Sequence, residues 1–222
     1  MPYRKNPIVI GEIYHVYNRS VARQPIFLNK NDYQRALELI NFYRFSHNLR
    51  FSHFKRLPSK IREEILEEPT KNRKPTLEIL AFCLMPNHVH FLIKPVEENS
   101  LSILMRDFQH AYSKYFNLRH DRSGSLFQSM FKAVRIEIDE QLIHVSRYIH
   151  LNPVSSFIVN TESLEDYPWS SFRDYLDVKK ELITSTKQIL SYFKSRQEYK
   201  KFVLDRADYQ RELDKIKHLI YD

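Results

Sequence analysis

Glycine is nearly absent from this chain. Only Gly11 and Gly124 occur among 222 residues, where an average protein has roughly 7%. Neither GxGxxG nor GxxxxGKS/T can be written from two glycines, so the loops that cradle nucleotide phosphates are excluded. Cysteine is scarcer still. Cys83 stands alone, which excludes an intrachain disulfide and a cysteine-rich zinc cluster. No apolar run approaches ~18 residues, so no membrane-spanning helix is expected. The first residues, MPYRKNPIVIGEIY, carry no signal-peptide core. These absences predict a soluble, cytoplasmic protein of a reducing compartment, with no membrane partner.

Basic residues are in excess. Lys+Arg 35 against Asp+Glu 27 gives a net charge of +8, which points to an anionic partner and says nothing of fold. The excess lies in three segments, 1–24, 49–75 and 102–135, and 15 Phe and 14 Tyr are interleaved with it. Cations among stacking-capable rings suit single-stranded nucleic acid. A solvated basic surface around an ordinary aromatic core has the same composition. Arg106, Lys114, Lys132 and Arg135 are candidate phosphate contacts.

Patterning predicts the elements. Gly11 to Asn18 alternates apolar and polar residues and reads as a strand. A helix capped by Asn31 or Asp32 runs to about Phe45, with Tyr33, Ala36, Leu37, Leu39 and Ile40 as its apolar stripe. Residues 47–75 are charged and proline-flanked, an inserted excursion with one short helix. Leu77–Met85 and His88–Val96 are apolar runs on either side of Pro86-Asn87, a hairpin. Asn99 or Ser100 caps a helix from Leu101 to about Arg119; a loop with Gly124 and a strand from Ala133 to Ile138 follow. Asp139 caps a last helix that stops at Asn152-Pro153, because proline disfavours helical geometry in the residue before it. From Lys179 the chain is polar and helical. The order β-α-β-β-α-β-α predicts an α+β fold with a mainly antiparallel sheet.

Two patterns carry chemistry. His88-Val89-His90 on a strand projects both imidazoles from one face. Such a pair is a metal half-site, to be completed by an amide or carboxylate, and it is equally a pair of solvent-facing or hydrogen-bonded histidines. In DEQLIHVSRYIHLNP, Leu142, Val145 and Ile149 form one stripe, while His144, Tyr148 and Asn152 share another at four-residue spacing. A tyrosine beside a metal-polarised electrophile can serve as a covalent nucleophile. A half-buried tyrosine with an asparagine ending its helix fits the same pattern.

CLMPNHVHFLIKP, followed by LSILMRDFQHAYSKYFN, GSLFQSMFK and RYIHLNPV, resembles the REP-associated tyrosine transposases, in the wider HUH single-strand transposase group. YHVYNRSVARQPIF upstream and YPWSSFRDY downstream are similar to flanking segments of that family, so the likeness spans roughly residues 10–175. It implies a ferredoxin-like fold. It implies that His88, His90 and Asn152 hold Mg²⁺ or Mn²⁺ and that Tyr148 attacks single-stranded DNA bearing hairpins or palindromic repeats. The product is a 5′-phosphotyrosine link and a free 3′-OH. Tyr112 and Tyr115 lack a ligand-type residue four positions on, and His144 is a candidate assistant to Tyr148. Residues 1–178 then form the catalytic domain, with 47–75 inserted, and 179–222 a helical extension; the chain is a monomer or homodimer. Three positions depart from the family: Ser20 where glycine often follows NR, and Phe127 and Met130 where Trp and Arg are expected. Two other readings compete. One is a non-cleaving nucleic-acid-binding module; the other is a zinc-dependent hydrolase built on Cys83, His88 and His90.

Overall fold

The two apolar runs flanking Pro86-Asn87 pair with one another, because each can bury both faces only inside a sheet. They form β2 (Leu77–Met85) and β3 (His88–Pro95), antiparallel, with Met85 opposite His88 across the two-residue turn. β1 (Ile13–Arg19) pairs antiparallel with β3 on one side and with β4 (Lys132–Ile136) on the other. The sheet order is β2-β3-β1-β4, the ferredoxin-like arrangement that the resemblance implies. The computed structural model describes residues 7–46, 49–72, 74–176 and 183–205, with the backbone alone in 66–72. Among them no helix is long and apolar enough to cross a membrane.

Helices cover both faces of the sheet. α1 (Lys30–Tyr43) and α4 (Ser100–Arg119) pack on one face, where Val89, Phe91 and Ile93 of β3 meet Leu39, Leu104 and Phe108. Burying each such side chain contributes roughly 1.5–3 kcal/mol. α5 (Asp139–Ser155) packs on the other face over Leu92, Cys83 and Ile136. A β-bulge between Ile79 and Ala81 resets the alternation of β2 and turns Cys83 and Met85 toward α5.

Several boundaries differ from the sequence expectation. α1 is capped by Asn29, whose side chain accepts from Asn31 N and Asp32 N; Asp32 is instead buried, accepting from Leu28 N and from the Tyr115 hydroxyl. Ile138 and not Asp139 holds the N-cap position of α5. α5 also continues through Pro153 to Ser155. Proline there removes one hydrogen bond from the final turn and leaves the earlier turns intact.

The inserted segment contains two helices in place of one, α2 (Phe51–Phe54) and α3 (Ser59–Asn72). Phe51 and Phe54 pack on Phe42 of α1 at ring separations of 5.3 and 5.0 Å. After α5 come α6 (Phe172–Leu176), α7 (Lys187–Leu190) and α8 (Arg196–Leu204). Tyr199 and Val203 of α8 are fully buried beneath α5 and α6. The described part of the extension is therefore packed into the α5 layer. The expected domain boundary at residue 178 and the end of the extension, 206–222, lie outside the described residues.

Candidate active site

The site lies where the start of β3 meets the middle of α5. Strand alternation turns His88, His90 and Leu92 toward α5, and Val89, Phe91 and Ile93 toward α4. The segment after β1 straps the hairpin turn in place. Ser20 N–H donates to the Asn87 carbonyl at 2.9 Å, and Ile26 N–H to the Pro86 carbonyl at 2.7 Å. Ala22 and Arg23 sit at φ of 55° and 56°, left-handed values that cost about 1–3 kcal/mol each outside glycine. The strap holds them there: Asn87 Nδ2 donates to the Arg23 carbonyl at 3.1 Å, and Ser20 Oγ to the Gln24 carbonyl at 2.6 Å.

That arrangement orients His88. With its nitrogen on Arg23, Asn87 turns Oδ1 to His88, 2.6 Å from Nδ1. A carboxamide oxygen only accepts, so His88 carries its proton on Nδ1 and keeps the Nε2 lone pair. His90 is buried, its Nδ1 2.9 Å from Nε2 of His15 on β1. The two rings lie nearly parallel, with centroids 5.2 Å apart. His90 Nε2 is buried with no hydrogen-bond partner among the described residues.

α5 supplies the other two groups. The Tyr148 ring stands edge-on to His90 at 5.6 Å and to His15 at 6.0 Å. One turn later, Asn152 Nδ2 donates to the Tyr148 carbonyl at 3.0 Å, which leaves Oδ1 for another partner. The Asn152 side chain also lies close enough to the His88 ring to influence its protonation. Four residues singled out in the sequence thus converge from two distant segments.

Electrostatics keep the imidazoles neutral. Burial pushes His88 down to about 4, with the Arg19 guanidinium adding to the effect and the nearby Asn152 amide opposing it. Burial also holds His90 well below the usual histidine range, reinforced by His88, His15 and Arg19. Neutral imidazole is the metal-binding form. Two imidazole nitrogens and an amide oxygen fit a divalent cation that keeps water and phosphate oxygens in its remaining positions. The unpartnered His90 Nε2 is the atom this fit accounts for. Among the described residues no three His, Cys, Asp or Glu side chains converge as a ligand set. Cys83, opposite His90 in the register, is a buried thiol whose burial raises its pKa, the Ser170 bond opposing. That environment suits a core thiol and gives the zinc-hydrolase reading no support.

A family model described as "Transposase IS200 like" matches residues 10–152, a span ending on Asn152. The chain belongs to the IS200-like transposase family. A Haemophilus influenzae protein, named as a candidate REP-associated tyrosine transposase, is 28% identical over 115 residues. That alignment covers 47% of this chain and 63% of the relative, so less than two thirds of the relative's length is matched. A solved structure of a REP-associated tyrosine transposase bound to a REP hairpin is similar in fold, with a TM-score of 0.52 and 18% identity. The likeness covers 83% of this chain and 90% of that one.

Within this IS200-like frame the remaining predicted residues fall in different places. Lys132 is exposed on the α5 face of the sheet, opposite Tyr17. Arg135 points to the other face and pairs with Glu12 at 2.8 Å. Arg106 and Lys114 are exposed on α4, across the sheet from His88, and Arg106 is bonded to Asp107 at 2.7 Å. His144 lies one turn before Tyr148, but its ring packs on Phe202 and its Nδ1 is 3.0 Å from Arg147. Tyr112 and Tyr115 belong to the α4 layer; the Tyr112 hydroxyl donates to the Ile26 carbonyl and Tyr115 to Asp32. Ser20 has an extended backbone with φ of −68°, so glycine is not required there. Phe127 is core, packed on Phe108 and Tyr112, and Met130 is exposed.

Sequence reasoning missed His15, Asn87 and Arg19. Arg19 is the register partner of His88, and its charge is felt by both imidazoles. The signal for His15 was its place in an alternating strand, in phase with Tyr17 and Arg19. Only the register shows which histidine it meets.

Proposed function

We propose that this chain cleaves and rejoins single-stranded DNA through Tyr148, at a divalent-metal site held by His88, His90 and Asn152. The observation that carries this reading is the edge-on contact of Tyr148 with His90, within a site whose imidazoles are neutral and whose asparagine oxygen is available. Family membership supports the same chemistry. Bound Mg²⁺ or Mn²⁺ would polarise the scissile phosphate and offset its developing charge.

The chain's own groups do the rest. The two imidazoles and the Asn152 amide orient the phosphate against Tyr148, and Arg19, the register partner of His88, brings a guanidinium whose charge reaches the His88 ring. Tyr148 gives up its hydroxyl proton as its oxygen bonds to phosphorus. The P–O3′ bond breaks, and the 3′ oxygen leaves and takes up a proton. The 5′-phosphotyrosine keeps the phosphodiester energy, so attack by a 3′-OH rejoins a strand without a nucleotide. This agrees with a chain too poor in glycine for a phosphate-binding loop. Hairpin-bearing single strands are the proposed substrate, and the net charge of +8 supports it.

A 3′-end-labelled hairpin oligonucleotide, incubated with the protein and Mn²⁺, tests the reading. Expected is a labelled protein band that survives denaturant, with a released 5′ fragment that a polymerase can extend. Binding of the hairpin with no such band would overturn cleavage in favour of a non-cleaving binding module.

A further inference from the structure

We propose that His15 is a positioning residue of this site: it fixes His90 as the Nδ1–H tautomer, so that Nε2 is the nitrogen presented to a divalent cation. The inference rests on the metal-ligand reading above and concerns a residue from a third segment of the chain.

The two ligand histidines pose different questions. For His88 the partner decides the tautomer, because the Asn87 oxygen can only accept. For His90 the partner is another imidazole, His15, and either nitrogen of the 2.9 Å contact could hold the shared proton. Burial does not choose between them, because His90 Nε2 and His15 Nδ1, the outer nitrogens of the pair, are both buried. The metal-ligand reading does choose: a ligand nitrogen must be a bare lone pair, and with Nδ1 turned to His15 the nitrogen His90 has left for a cation is Nε2. The proton therefore sits on Nδ1 and is donated to His15 Nε2.

The fold makes this contact rigid. His15 faces Leu92, and Tyr17 faces His90 in the β1–β3 register, so His15 and His90 are diagonal neighbours on one sheet face. His15 is fully buried. Its ring lies at 13° to that of His90, and Tyr148 closes over both. Asn87 and His15 thus do the same work on successive ligands, each accepting an Nδ1–H and leaving an Nε2 outward. Metal-ligating histidines ordinarily need such an acceptor.

Two measurements on the full chain test it. Long-range ¹H–¹⁵N correlation spectra of the Mg²⁺-saturated protein are expected to show His90 protonated on Nδ1; a proton on Nε2 would overturn the inference. Mn²⁺ affinity, read by electron paramagnetic resonance, is expected to weaken roughly 10–100-fold in His15→Phe. In His15→Gln, whose amide oxygen can accept the same proton, it should stay within about threefold of wild type. A purely structural His15 would lower the melting temperature of both variants and leave Mn²⁺ affinity unchanged, and a folded His15→Phe with wild-type affinity would overturn the inference. Wild-type protein that binds no Mn²⁺ would overturn the metal reading itself, whereas metal binding with His90 protonated on Nε2 would overturn the role of His15 alone.

Discussion

A neutral imidazole has one proton and two nitrogens, and its neighbours decide which nitrogen is left for chemistry. At His88 the decision comes from Asn87, a residue whose turn-forming role is evident and whose amide oxygen does a second job. Charge at this scale is equally local. Arg19 lies beside His88 on the α5 face, while Arg106 is on the α4 layer, bonded to its neighbour Asp107. Arg19→Ala is expected to lower single-strand cleavage on the order of 10²-fold, as loss of one charge-stabilising donor does. It should also reduce the salt dependence of DNA binding by about one counterion. Arg106→Ala should leave both within about twofold, because exposed ion pairs contribute little. Gel-based cleavage rates and binding titrations at several salt concentrations check this pair, and equal losses in both variants would refute the distinction. His88 with His90, and Tyr148 with Asn152, were legible in the sequence as pairs because periodicity places each pair on one face of its element; that the two pairs belong to one site came from the family resemblance. His15 and Arg19 were not, since their relation to β3 depends on a register formed across about seventy residues of intervening chain.

α5 is the element on which the site depends, and it is fixed from both sides. Its Tyr148 and Asn152 face β3, while Ser146, Arg147 and His150 face the C-terminal helices. His150 bridges the Tyr199 hydroxyl at 2.7 Å and Ser171 Oγ at 2.8 Å. The Arg147 guanidinium lies 4.4 Å over the Phe202 ring. Tyr199→Phe leaves His150 Nδ1 without its partner in a buried place, while Ser146 keeps its bond to the Ile143 carbonyl, and the loss is expected to cost roughly 1–3 kcal/mol. Urea unfolding measures it, and an unchanged midpoint would contradict the role given to this hydroxyl. A polar, glycine-free tail reads as an appendage because its buried residues, Tyr199 and Val203, are sparse; their partners on α5 and α6 are visible only in three dimensions. The insertion misleads for the same reason. Its charge pattern suggests a loop, and Phe51 and Phe54 anchor it on Phe42 of α1. Pro153 misleads in the other direction, because a proline in the last helical turn forfeits one bond and not the helix.

At the scale of the whole molecule, a four-stranded sheet buries both faces, and the α5 face encloses histidines that folding keeps neutral. Burial takes His150 down to about 3 and His88 to about 4, against an unfolded value near 6.5. The unfolded chain therefore binds more protons as pH falls below about 6.5, and each such proton tilts stability by up to about 1.4 kcal/mol per pH unit. Stability is thus fully present above that value and is lost toward pH 3–4. Urea midpoints should stay level from pH 7.5 to about 6.5 and fall steadily from there to pH 5, and a flat profile below 6.5 would mean that these rings are not held neutral. The layering also separates the rival tyrosines, with Tyr112 and Tyr115 on the α4 side and Tyr148 against the imidazoles. The most direct measurement of that claim is to trap the protein–DNA adduct, digest it with trypsin and nuclease, and locate the residual nucleotide by mass spectrometry. Trypsin cuts after Arg147 and next after Arg173, so Tyr148 should begin the modified peptide and carry the nucleotide in its first fragment ion. A nucleotide on the peptide bearing Tyr112 or Tyr115, or on Tyr167 within the same fragment, would contradict Tyr148 as the nucleophile.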